Sequence, residues 1–250
     1  MSLPIALQTY TVREQLARDF ERTITRVAEI GYPALEITID IPGASLSQAE
    51  KVFGRLGLQT PAAHSPLPLG DKRSAVLDFA AMFGVKTLGF SGGPKEFGTV
   101  DSIRQLCGRI NDAYEVVAAS GIALAYHNHW WEFARVEDRL GFDIMLELLD
   151  PGVVFEVDTY WVKTGGQDPT ALVKKLGDRA PLLHIKDGPA TEKDPMVAVG
   201  QGVMDFPAII PAATGAQWLI VELDRCATDM MVAVDESYRY LTGEGLAHGR

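Results

Sequence analysis

Short β-rich runs alternate with amphipathic helical runs eight times along the 250-residue sequence, and no other feature limits its fold so strongly. Repeated strand-then-helix units build parallel sheets, because each helix carries the chain back to start the next strand in the same direction. Eight such units in a chain of this length fit one closed barrel better than an open doubly wound sheet, which seldom carries eight strict repeats. The sequence therefore predicts an α/β protein, a (β/α)8 TIM barrel formed as a single domain over residues 1–250. The predicted strands are 5–9, 34–39, 60–64, 87–90, 123–128, 153–158, 181–186 and 218–222. Helices are predicted from Asp19 to Ile30, Ser45 to Leu56, Asp71 to Phe83, a long one to Ser120, then Phe142 to Leu149, Pro169 to Leu176, one beginning at Phe206, and Asp229 to Leu241. Gly31, Gly57, Gly84 and Gly121 stop the first four, and Ser45 with Gln48 forms a capping-box pattern.

Barrels of this kind carry their chemistry in the loops at the C-terminal ends of the strands. Those ends are polar here: Gln8 and Tyr10, Glu36, His64, Ser91 with two glycines, His127 and His129 with Glu132, Asp158, His184 with Lys186 and Asp187, and Glu222 with Asp224. Four of the five histidines fall there, and only His248 does not. Strand side chains alternate between faces, so Ala34 and Glu36, Ala62 and His64, Ala125 and His127, Glu156 and Asp158, Leu182, His184 and Lys186, and Ile220 and Glu222 can each share the inward face. Trp130, Trp131 and Trp161 lie just beyond strand ends, where aromatic faces over a polar floor suit sugar rings and serve equally as an apolar lid.

Asp158, His184 and Glu222 end three consecutive strands, which sets two carboxylates and an imidazole side by side. Mixed oxygen and nitrogen ligation suits one divalent ion of the Mn, Co, Zn or Fe kind better than Ca, with Mg also possible. The net charge of −10, with acids and bases interspersed and no Lys/Arg block longer than two, argues against nucleic acid and for a small-molecule substrate. Two cysteines without CxxC spacing fit a reducing compartment, and without a basic leader or a long apolar run the expectation is a cytoplasmic protein, free of membrane, with a homo-oligomer possible. GQGVMDF (200–206) does not match the dinucleotide-binding pattern, and SGGPK (91–95) reads as a plain turn.

FEVDTYW around Asp158, LLHIKD around His184, VGQGVMDF from Val199 and LIVELD around Glu222 together resemble the xylose isomerase-like TIM barrels, a family of sugar isomerases and epimerases that also holds inosose dehydratases and abasic-site endonucleases. The resemblance runs over essentially the whole chain. In ketose epimerases of that family the metal is held by Glu, Asp, His and Glu from the last four strands, which implies Asp158, His184 and Glu222 as three ligands. The fourth position departs: His127, in YHNH, stands where those epimerases have a glutamate, and the pattern is similar to the YHHH of inosose dehydratases. Glu132 then becomes the candidate partner acid or base, or alternatively the fourth ligand, with Glu222 as both ligand and base and His127 as ligand or acid. Glu36, His64, His129, Trp161 and Lys186 are the candidate substrate contacts. The resemblance implies an isomerase or epimerase that works through an enediolate on a keto-sugar or sugar derivative. A lyase or dehydratase acting on a keto-inositol or 3-keto-glycoside is the alternative, supported by YHNH. An endonuclease would need a basic DNA face, and a non-catalytic sugar-binding barrel would show no proton exchange.

Overall fold

A computed structural model describes residues 2–250. Eight parallel strands close into a barrel: β1 (Leu3–Gln8), β2 (Ala34–Thr38), β3 (Gln59–His64), β4 (Thr87–Phe90), β5 (Ala123–His127), β6 (Val154–Asp158), β7 (Leu182–Ile185) and β8 (Trp218–Val221). Each pairs with its sequence neighbour, and β1 pairs with β8 through Ile5 with Leu219, Ala6 with Ile220 and Leu7 with Val221, which closes the ring. The helices outside are α1 (Arg13–Arg18), α2 (Phe20–Ile30), α3 (Leu46–Leu56), α4 (Arg73–Phe83), α5 (Val100–Ala118), α6 (Gly141–Leu148), α7 (Thr159–Thr164), α8 (Pro169–Leu176), α9 (Phe206–Ala212) and α10 (Met230–Gly243).

Local chemistry sets the boundaries. Asp19 caps α2 by accepting from the Arg22 N–H, and Ser45 and Gln48 form the reciprocal box that starts α3. Gly57 ends α3 at φ 63°, a left-handed conformation that a side chain would strain. Several short elements were not anticipated, three of them near the site-bearing strands or the first helix. α1 precedes α2, α7 follows β6 directly, and Arg135–Val136 pairs antiparallel with Arg139–Leu140. Each spans six residues or fewer, too short for a hydrophobic period to register.

Two apolar layers result. The larger fills the space between strands and helices, where Phe79, Phe142 and Phe155 are fully enclosed; each such side chain contributes roughly 1.5–3 kcal/mol by leaving water. The smaller is the barrel floor of Ala6, Ala34, Ala62, Leu182 and Ile220. Small side chains on β1, β2 and β3 face larger ones on β7 and β8, so the bore fills without strain. Among the described residues no helix is long and apolar enough to cross a membrane.

Candidate functional site

One residue further along each strand's inward face, the alanine floor gives way to charge. Glu36 on β2, His64 on β3, His127 on β5, Glu156 and Asp158 on β6, His184 on β7 and Glu222 just past β8 converge, all buried except the half-buried His64. β4 supplies Gly89 at this level, and a Cβ there would lie 2.6 Å from His64 Cδ2 and 3.3 Å from Glu156 Oε2. Glycine is required by that close approach.

Two imidazoles divide the cluster into an inner and an outer half. His184 points Nε2 inward to Glu36 Oε2 at 2.6 Å and Nδ1 outward to Glu222 Oε2 at 2.8 Å. His127 points Nδ1 inward to Glu156 Oε2 at 3.1 Å and Nε2 outward toward Asp158 Oδ2 at 3.5 Å. His64 Nε2 is 2.5 Å from the same Glu156 oxygen, and Gln8 donates to Glu36 at 2.6 Å. Burial pulls the His127 imidazole down, as does neighbouring His184, but the facing carboxylates of Asp158 and Glu156 outweigh both and lift it to about 9. His184 is likewise opposed by burial and held well above the usual histidine range by Glu156, Glu36 and Glu222. Glu36 is raised to about 7 by burial and by the charge on Glu156, against the pull of the histidines.

Lys186 completes the outer half. Its buried ammonium lies 2.7 Å from Glu222 Oε2, 3.0 Å from Asp158 Oδ2 and 2.9 Å from Asp224 Oδ2, and 5.3 Å from the Trp161 ring. Burial raises the Glu222 and Asp158 carboxyls, but Lys186 leads the charges that hold both below their ordinary values. The next residue, Asp187, organises the loop above: its carboxylate accepts backbone N–H bonds from Gly188, Gly200, Gly202 and Met204 at 2.9 to 3.1 Å. Met196 in that loop accepts from the Asp224 N–H through its sulfur.

The structure brings His127, Asp158, His184 and Glu222 together: one donor atom of each lies within 4.8 Å of the others. Such a two-nitrogen, two-oxygen set could hold a divalent ion. It fits one by its chemistry, since His127 Nε2 is buried and makes no hydrogen bond, and Asp158 Oδ2 beside it is engaged only by the Lys186 ammonium. His64, His127, Glu156 and His184 meet the same spacing, but there one Glu156 oxygen already takes hydrogen bonds from both His64 and His127.

Glu132 is not among the grouped donor atoms. It lies outside the cluster, because Tyr126 occupies the outward face of β5 and Glu132 follows it there, accepting from the Tyr126 O–H at 2.7 Å and the His129 N–H at 2.9 Å. Both oxygens hold the loop after β5, and burial lifts the carboxyl to about 7. His129 stacks on Trp131 at 4.1 Å, and burial, followed by repulsion from His127 and Lys186, lowers it to about 2, so the ring is neutral. Trp161 is packed under Trp130, 4.7 Å between rings, and is buried. Sequence reasoning assigned no role to Glu156 or Gln8; their inward parity on β6 and β1 was the available signal.

The model of the family described as xylose isomerase-like TIM barrel matches residues 24–242. No curated protein matches the sequence. Two solved sugar phosphate isomerase/epimerase structures from Parabacteroides distasonis are similar to this chain. One has 25% identity and a TM-score of 0.86 over 99% of this chain and 96% of that one. The other has 26% identity and a TM-score of 0.84 over 99% of this chain and 100% of that one. The IOLI protein, solved with a bound zinc atom, shares the fold at 14% identity and a TM-score of 0.71, over 98% of each chain.

Proposed function

The chain belongs to the xylose isomerase-like TIM barrel family, and on that premise we propose that it is a divalent-metal-dependent isomerase or epimerase of a keto-sugar or sugar derivative. The observation that carries this reading is the two-sided hold on His127 and His184. Each turns one nitrogen toward the outer carboxylates Asp158 and Glu222 and has its other nitrogen held by an inner carboxylate, Glu156 or Glu36. Histidines that ligate metals characteristically donate their second N–H to a carboxylate, which fixes the ring and its tautomer. His127, Asp158, His184 and Glu222 would hold the ion. When bound, it would polarise a ketone and its neighbouring hydroxyl and stabilise the enediolate. The Parabacteroides relatives support a small sugar-derived substrate.

The protein's own groups supply the proton transfers. Glu222, tied through Oε2 and 6% exposed, is the outer carboxylate open enough to take a proton from the carbon next to the carbonyl. Lys186 stays charged and holds a substrate oxygen as negative charge develops on it. His64, the half-buried imidazole on the opposite wall, meets substrate hydroxyls, with Glu36 enclosed behind it at 3.7 Å. Trp130 and Trp131 shield the mouth from water.

A lyase or dehydratase is the second reading, favoured by one observation: Glu132 is engaged by Tyr126 and His129, while the imidazole of His184 lies 2.8 Å from Glu222. A base and a histidine acid suit removal of a proton and protonation of a leaving group. Incubating metal-loaded enzyme in D2O with ketoses, keto-inositols and keto-glycosides tests both readings. An epimerase or isomerase puts deuterium at the α carbon of the product, and a lyase yields unsaturated product. Turnover with the substrate hydrogen fully retained would overturn Glu222 as base, and equal metal content in wild type and Asp158→Ala after controlled loading would remove the metal site.

A further inference from the structure

The ammonium of Lys186 sits between Asp158 and Glu222, the two carboxylates assigned above to the ion, and Asp158 has only one oxygen to give. Its Oδ1 caps α7 by accepting the Trp161 N–H at 2.9 Å, which leaves Oδ2, and Lys186 Nζ is 3.0 Å from that atom. Glu222 is contested in the same way, its Oε2 lying 2.7 Å from Nζ. An ion about 2.1 Å from Asp158 Oδ2 and an ammonium at its present distance would stand no more than about 5 Å apart, where like charges oppose each other across a buried site. The third carboxylate on the ammonium, Asp224, follows Glu222 by two residues, lies at the more exposed edge of the group and has no part in the proposed ligand set.

We propose that Lys186 is a built-in competitor for the metal position, and that Asp224 is the carboxylate to which its ammonium withdraws when the ion binds. The proposal rests on the metal reading of the site. Lysine suits the exchange because its charge rides on a flexible four-carbon stem, so a small swing toward Asp224 separates the two cations without moving the backbone. The Asp224 backbone is itself held from two sides, its N–H by Met196 and its carbonyl by Arg13 at 2.8 Å, so the withdrawn ammonium has a fixed partner. The barrel thereby keeps its buried carboxylates paired with a cation in either condition, and metal affinity is set by the difference between two pairings rather than by the ligands alone.

The test is calorimetric titration of Mn2+ and Zn2+ into chelator-stripped, full-length protein, with thermal melting of each variant to establish folding. Lys186→Met should bind at least tenfold more tightly than wild type. Asp224→Asn, which keeps the lysine but takes away its refuge, should bind several-fold more weakly. In the Lys186→Met background the Asp224→Asn change should have no effect, a non-additivity that a general loss of structure would not produce. If Lys186→Met does not fold, Asp224→Asn and the shift of the Lys186 ammonium resonance on metal addition to wild type still decide the matter. Equal or weaker binding by a folded Lys186→Met, or an unmoved ammonium signal, overturns the competition and leaves the metal site standing. Binding by neither wild type nor Lys186→Met overturns the metal reading and the competition with it.

Discussion

Replacing Asp187 by asparagine changes almost no volume, yet it should cost nearly as much stability as truncating the residue. The carboxylate divides four donors evenly: Oδ1 accepts from the buried Gly188 and Met204 N–H groups, and Oδ2 from the part-buried ones of Gly200 and Gly202. Asparagine offers one oxygen, so whichever way the amide turns, its NH2 faces two N–H groups that have no other acceptor. A buried donor left unsatisfied costs about 1–3 kcal/mol; the amide turns its NH2 to the part-buried Gly200 and Gly202 pair, so the two lost bonds cost about 2 kcal/mol at the low end of that range. For a chain of this size that corresponds to a fall in melting temperature of roughly 4–8 °C. Asp187→Ala frees all four donors but opens space that water can enter, and its cost should be similar. Thermal melting measures the magnitude, and amide hydrogen exchange locates it: in Asp187→Asn one pair of amides loses protection while the other keeps it. An unchanged melting temperature with all four amides still protected would refute the idea that this carboxylate holds the loop.

Glu132→Gln should lower stability by about 1–2 kcal/mol, through weaker bonds to Tyr126 and His129, while deuterium exchange into substrate proceeds at the wild-type rate; lost exchange with unaltered melting would return Glu132 to the chemistry. Metal affinity should rise with pH across the neutral and mildly alkaline range, since both histidines of the proposed set are raised. Below about 9 the His127 imidazole carries a proton that the ion must expel, so each unit of pH strengthens binding roughly tenfold per proton released. Calorimetry in buffers of different ionisation enthalpy counts those protons, and a pH-independent affinity would contradict His127 as a ligand.

The barrel was legible because its signal is redundant: eight strand-helix alternations, glycine stops and a capping box all point to one fold. Convergence of His127, Asp158, His184 and Glu222 was legible for a similar reason, since period-two parity combined with strand order fixes which side chains meet on the axis. What parity does not carry is distance beyond the strand. Glu132 lies on a loop whose path depends on Tyr126, and counting residues from His127 could not tell that it returns to the outside of the barrel. Glu156 was placed inward without a role because nothing in FEVD reveals that two histidines from other strands lean on one of its oxygens. Lys186 was legible as an inward cation, but its three carboxylate partners come from β6 and the segment after β8 and exist only once the ring is closed.

That charged layer also governs the order in which the molecule assembles. Glu36, Glu156, Asp158, His184 and Lys186 are wholly enclosed, and the His184–Glu36 and His64–Glu156 pairs join strands from opposite sides of the ring. While the sheet is still open these groups keep their water, since a half-formed cluster would leave charges dry and unpaired at several kcal/mol each. Dehydration therefore waits for closure of the ring, to which the pairing of β1 with β8 belongs. The late barrier to folding is then the expulsion of water from the bore rather than the formation of any single βα unit, and acid, which protonates the carboxylates before closure, should slow that final step while leaving the early helices untouched.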